Sequence, residues 1–202
     1  MARKPKELEV LSTVSNDAKP SFEMESPFTV NVSIKGTVPF IFHRWSNEDV
    51  LAKSEAKKNS KVKKTDNVEG YVFRNEKKEL CIPAEYVRMA LINSAKYDQH
   101  PSKPRASAFD LFKAGIVCSP ELCPLNDGEV YDWDFMDMRR VVIQRASITR
   151  SRPAMKTGWT IDLAVTSLLP DLIDYNFLYK TLIRAGQLIG VGDFRPTYGR
   201  FA

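Results

Sequence analysis

The chain has 202 residues, 43% of them hydrophobic and 27% charged, which is enough apolar content for a packed core and argues against global disorder. Its net charge of +5 permits an acidic partner. No apolar run reaches membrane-spanning length, and Met1-Ala-Arg-Lys lacks a following apolar signal region, so the expectation is a soluble, cytoplasmic protein without membrane association. Three cysteines (Cys81, Cys118 and Cys123) suit a reducing compartment, and Cys118 and Cys123 have no second pair or histidine nearby. Neither a metal site nor a cofactor is expected.

Residues 1–26 are polar without sustained periodicity and read as an N-terminal arm; a single domain follows over 27–202. Phe28, Val30, Val32 and Ile34 alternate with polar residues, the period of a half-buried strand. Residues 46–68 lose apolar content and read as a long basic insertion. Tyr71-Val-Phe-Arg and Glu79-Leu-Cys-Ile predict short strands around a turn at 75–78, and Pro83 suits a helix start. Val87, Ala90, Leu91 and Ser94 or Ala95 then share one helical face.

Residues 98–138 contain four prolines and read as a second, irregular insertion with a short helix near 106–113. Asp132, Asp134 and Asp137 there read as solvated acids rather than metal ligands. Two strands are predicted at 139–149 and 157–167, joined by a basic hairpin tip at 150–158. Asp174 or Asn176 caps the next helix, whose buried stripe is Leu178, Leu182, Ala185 and Leu188 or Ile189. A glycine-rich loop and a short strand at 198–201 close the chain. The order gives an α+β, ferredoxin-like (RRM-like) βαββαβ fold, an antiparallel sheet with two helices on one face and long insertions. The last strand is so short that another chain, or the N-terminal arm, is expected to complete that edge.

Positive charge is clustered. Lys53, Lys57, Lys58, Lys61, Lys63 and Lys64 accompany one acid, Glu55, and Arg139, Arg140, Arg145, Arg150, Arg152 and Lys156 span a stretch with none. In the last loop Gly190, Gly192 and Gly199 permit positive φ or close backbone approach to a ligand. Arg195 and Arg200 offer forked donors for phosphate, and Tyr198 or Trp45 can stack on bases. The loop follows a helix, whereas a dinucleotide-binding glycine loop follows a strand, so the Rossmann reading fails. The basic turns at 53–64, 150–156 and 190–200 are expected to converge on one groove for a polyanion.

With these residues in place, the chain resembles the RAMP superfamily of CRISPR systems, especially the repeating backbone subunits of effector complexes, or a divergent or phage-borne relative. The likeness lies in Phe28 to Trp45, in Glu69-Gly-Tyr-Val-Phe-Arg-Asn with Leu80-Cys-Ile-Pro-Ala-Glu-Tyr-Val-Arg-Met-Ala-Leu, and in Leu182 to Phe201. Ala84-Glu85 departs from the small residues and lysine often found at that helix start, and Pro196 stiffens the glycine loop. The resemblance implies binding of single-stranded RNA, or DNA, along its backbone as a homo-oligomer or with other ribonucleoprotein subunits. It implies a thumb at Arg150, Arg152 and Met155 that wedges between bases, and Arg88 on the first helix joins the expected contacts. His43-Arg44 lies where RNA-processing members of the family carry a catalytic histidine, so a metal-independent endoribonuclease using His43 is an alternative. Asp49 and Asp66 are acid candidates by location only. A structural ferredoxin-like module that ignores nucleic acid is the third reading.

Overall fold

The computed structural model describes residues 26–57, 67–143 and 146–202. Its first half contains β1 (Phe28–Lys35), β2 (Phe40–Ile41), α1 (Asn47–Glu55), β3 (Phe73–Arg74), β4 (Leu80–Pro83) and α2 (Ala84–Ser94). There follow β5 (Gln99–His100), β6 (Lys103–Ser107), α3 (Phe109–Gly115), β7 (Ile116–Ser119) and β8 (Leu122–Pro124). The chain ends with β9 (Phe135–Ile143), β10 (Ala146–Met155), β11 (Thr160–Ser167) and α4 (Tyr175–Arg184), which runs into a π-turn at Ala185–Ile189.

These elements form an α+β fold of small antiparallel sheets. β1 pairs with β11 along its whole length, Phe28 opposite Ser167 and Lys35 opposite Thr160, and β7 flanks β11. On the other edge of β1 the chain end contributes a bridge, Gly36 opposite Phe201. A second sheet has the order β2-β10-β9, a third β3-β4-β8, and β5 pairs with β6.

One core joins these layers. The apolar side of β1 and β11 (Ile34, Ile161, Leu163 and Val165) packs with Val87, Ala90 and Leu91 of α2 and Leu178 of α4. Ser94 donates to the Thr181 carbonyl at 3.1 Å, and Arg184 meets Asp98 at 2.6 Å, tying the ends of α2 and α4 together. Phe40, Phe42 and Trp159 form an aromatic cluster, Phe40 edge-on to Phe42 at 4.9 Å between ring centres. The Trp159 indole N–H donates to the Val38 carbonyl, so its one polar atom is satisfied inside the core.

Several expectations are corrected. Residues 47–55 of the basic insertion are helical; their charge-rich composition gave no apolar stripe to announce it. The segment 98–138 is not an irregular insertion. It holds α3, the β5–β6 sheet, β7, β8 and the start of β9, in strands mostly too short or too exposed to alternate visibly. The hairpin also sits elsewhere: β9 pairs with β10, Ile143 opposite Ala146, so 150–155 lies within a strand and not at a tip. Arg150, Ser151, Arg152 and Pro153 within β10 had mimicked turn chemistry. In α4 and its π-turn, Ile189 joins the core while Leu188 is exposed. Residues 1–25 of the N-terminal arm, Lys58, Lys61, Lys63, Lys64, Asp66 and Arg145 lie outside the described residues, as do the side chains of Asp49 and Lys53.

Candidate nucleic-acid interface

Fully buried Phe40, Ile41 and Phe42 anchor the strand from which His43, Arg44 and Trp45 emerge, all three exposed. The backbone there is held: Arg44 N–H donates to the Tyr71 carbonyl at 2.9 Å, and the Tyr86 hydroxyl donates to the His43 carbonyl at 2.7 Å. Tyr86 packs edge-on against Phe73, over which the Arg44 guanidinium lies 5.8 Å from the ring centre. Trp45 is 72% exposed, a large apolar area left in water.

The β9–β10 hairpin supplies the next part. Arg139 is opposite Arg150, and Asp137 opposite Arg152, so these four share one face. Like charges directly opposite destabilise a sheet. Here carboxylates offset the repulsion: Asp137 takes both forked donors of Arg139 at 2.5 Å, and Arg152 pairs with Asp193. Arg139 is accordingly held protonated even more firmly than usual, chiefly by its bond to Asp137. Asp137 is thus a half-buried ion-pair partner, not the solvated acid expected from the sequence. Arg152 is only 6% exposed, with its guanidinium 5.7 Å from the Tyr71 ring centre.

The glycine-rich loop completes the surface, for a reason different from the one the sequence offered. Gly192 has φ +78°, and a Cβ there would come within 2.5 Å of the Phe40 ring and 2.6 Å of the Ile41 carbonyl. At Gly199 a Cβ would lie 1.7 Å from the Val191 carbonyl. The glycines therefore let the loop fold onto β2 and onto itself rather than onto a ligand. Asp193 N–H donates to the Ile41 carbonyl and Gly199 N–H to the Pro39 carbonyl, fixing the loop at both ends. It presents Phe194 and Tyr198, which flank the Arg139 guanidinium at 4.2 and 4.7 Å. Such contacts order the guanidinium without neutralising it.

Arg150, Arg152 and Arg195 all bear on His43. Packing beneath the ring is the larger cause, and the charges of Arg152, Arg150 and Arg195 follow, in holding its pKa below the ordinary imidazole value. His43 is thus a neutral imidazole near pH 7, at the centre of a cationic surface. Among the described residues Arg150 and Arg195 make no ion pair. Two clefts adjoin the surface, one of about 490 Å³ beside Arg44, Arg74 and Phe73, the other of about 390 Å³ beside Arg195, Asn93 and Lys96.

Other expected contacts fall elsewhere. Met155 is 4% exposed and packed in the core, so it cannot wedge between bases. Arg88 donates to the Ile116 and Lys113 carbonyls and to Glu85, a structural clasp between α2 and α3. Arg140 is exposed on the opposite face of the hairpin from Arg139. Lys156 is exposed where its N–H donates to Asp134, Arg200 is exposed beside the bridge to Gly36, and Lys57 is exposed just past α1. Gly190 is buried, with φ +73°. The outer face of β1 and β11 carries Thr29 bonded to Thr166 and Ser33 bonded to Asp162, with no ring for a base to stack upon.

Tyr71, Tyr86, Asp193 and Phe194 are site residues that sequence reasoning missed. Only Phe194 had a usable signal, an aromatic inside an arginine-bearing glycine loop. Among the described residues no group of three or more His, Cys, Asp or Glu side chains could hold a metal ion, and no helix is long and apolar enough to cross a membrane. No protein-family model matches the chain, and no curated protein does either.

Proposed function

We propose that this protein binds single-stranded nucleic acid along its sugar–phosphate backbone. The observation that carries this reading is the meeting of three distant segments around one surface: His43 to Trp45, Arg139 with Arg150, and Phe194 with Arg195 and Tyr198. Among the described residues Arg150 and Arg195 make no ion pair, which leaves them for phosphates, while Trp45, Phe194 and Tyr198 offer rings to unstacked bases. Stacking on exposed rings suits a single strand better than a closed duplex.

Within that class we read the chain as a RAMP-type, RNA-coating backbone subunit. The strand order Phe201-β1-β11-β7, antiparallel throughout, with α2 preceding β7 and α4 following β11, supports a ferredoxin-like βαββαβ scaffold. The β9–β10 hairpin, inserted between β7 and β11, is the element available as a thumb, with Arg150 rather than Met155 on its accessible face.

A salt-titrated gel shift with single-stranded RNA and DNA tests the binding. Affinity should fall linearly on logarithmic axes as salt rises, RNA above DNA. Absence of binding at low salt removes the proposal.

One observation favours a second reading. His43 is exposed and neutral beside several arginines, the state in which an imidazole can take a proton from a ribose 2′-hydroxyl while cations stabilise the phosphate. Cleavage lost in His43→Ala with binding retained would establish it.

A further inference from the structure

β1 is hydrogen-bonded fully on one edge only. Gly36 donates toward β11, to the Trp159 carbonyl, and Lys35 exchanges bonds of 2.8 and 2.9 Å with Ala202 on the opposite side. Backbone direction alternates along a strand, so the N–H and C=O groups of Thr29, Asn31 and Ser33 point to the side where Ala202 lies. Among the described residues no strand meets them there. Burial follows the same division. Ile34, next to the Phe201 bridge, is 2% exposed, while Phe28, Val30 and Val32 remain half-buried on the helix side. Above this edge lies an apolar cleft of about 450 Å³, lined by Val32, Ile34, Tyr179, Leu182, Ile183 and Phe201. Tyr175, Tyr179 and Ile183 form an exposed ridge along α4, the two tyrosine rings stacked 6.2 Å apart.

Unmet backbone groups beside an apolar cleft specify an extended strand as the occupant. The edge is also self-complementary. Phe28 to Ile34 contains no charged residue in a chain that is 27% charged, so a second such edge meets no repulsion despite the net charge of +5. We propose that a second copy of this chain pairs here, β1 against β1 in antiparallel register about a twofold axis at Asn31. Asn31 then faces its own copy, and Thr29 faces Ser33 of the other protomer, the spacing at which the outward groups of both strands are satisfied together. The two three-stranded sheets become one, and the α4 ridges, each standing over the shared edge, cover the partner's cleft. Because the same patch is used on both sides, the assembly closes as a dimer rather than growing.

The test is sedimentation of the full chain, freed of nucleic acid in high salt. Wild type should be a dimer with slowed amide exchange at Thr29, Asn31 and Ser33. Asn31→Lys or Asn31→Asp alone sets like charges face to face and should weaken dimerisation by about tenfold or more. An equimolar mixture of the two variants should restore it. The Asn31 side chain is exposed, so the fold should survive, and Tyr179→Glu gives an independent second variant. A monomer at every accessible concentration would overturn the proposal. So would a dimer insensitive to these changes, a mixture no better than either variant, or protected amides in a monomer, which would mean the chain fills its own edge.

Discussion

Arg152, inside β10, is ion-paired with Asp193 in the glycine-rich loop. The arginine is almost wholly buried, so the pair clasps the loop to the hairpin more than it offers charge to a ligand. Removing one partner strands the other in a poorly hydrated site. Asp193→Ala or Arg152→Ala should therefore cost about 3 kcal/mol of stability, read from chemical denaturation. A loss of nucleic-acid affinity in Arg152→Glu would follow mainly from that disorder.

The informative charge reversals are instead Arg150→Glu and Arg195→Glu. Neither guanidinium is committed to an ion pair among the described residues. Each variant should keep the wild-type unfolding midpoint, weaken binding to all sequences alike, and lower the slope of log affinity against log salt by roughly one. Unchanged slopes in both would place the strand elsewhere.

His43 gives a pH signature. Packing and three arginines lower its pKa, so the folded chain takes up a proton less readily than the unfolded chain. This contribution to stability is present above the unfolded value near 6.5 and is lost as pH falls through the lower folded value. A bound phosphate reverses the preference, because an anion favours the imidazolium. Affinity for RNA should thus rise on acidification below about pH 6 while the unfolding midpoint of the free protein declines, and both trends should flatten in His43→Gln.

Trp45 offers a direct stacking probe. It is the most exposed aromatic of the surface, held at its indole N–H by Asn47. Trp45→Ala should cost about 1–2 kcal/mol of binding to single strands with little change in stability. RNA added to the wild type should quench the emission that this variant lacks.

Gly192 tests the reason for the glycine-rich loop. Gly192→Ala puts a methyl group against the Phe40 ring and the Ile41 carbonyl at positive φ. A loss of about 2–3 kcal/mol in stability is expected, without any ligand present. If the variant unfolded like wild type and failed only in binding, the glycine would serve the ligand instead.

Much of the fold was legible where one face is apolar and the other wet. The alternation in 28–34 and 159–165, the stripe through Val87, Ala90 and Leu91, and the Asp174 cap each followed from a local period or a single turn of chain. What failed to show were elements whose partners lie far away. β7 and β8 are three or four residues long and exist because β11 and β4 are there to receive them. β10 was misplaced because a face carrying arginines carries no hydrophobic period, and Arg152 on that face is buried with Asp193 of the distant glycine-rich loop to meet it.

The sequence by itself determined which groups are available: the arginines, the glycines able to take positive φ, and the aromatics, since composition and local steric freedom are properties of each residue. Tertiary structure alone decided which cations remain for a ligand. Arg88, Arg139 and Arg152 are engaged by carbonyls or carboxylates, and Met155 by the core, whereas Arg150 and Arg195 remain without ion pairs among the described residues. A charge is neutralised by what lies within a few ångströms, and that distance is set by folding, not by position along the chain.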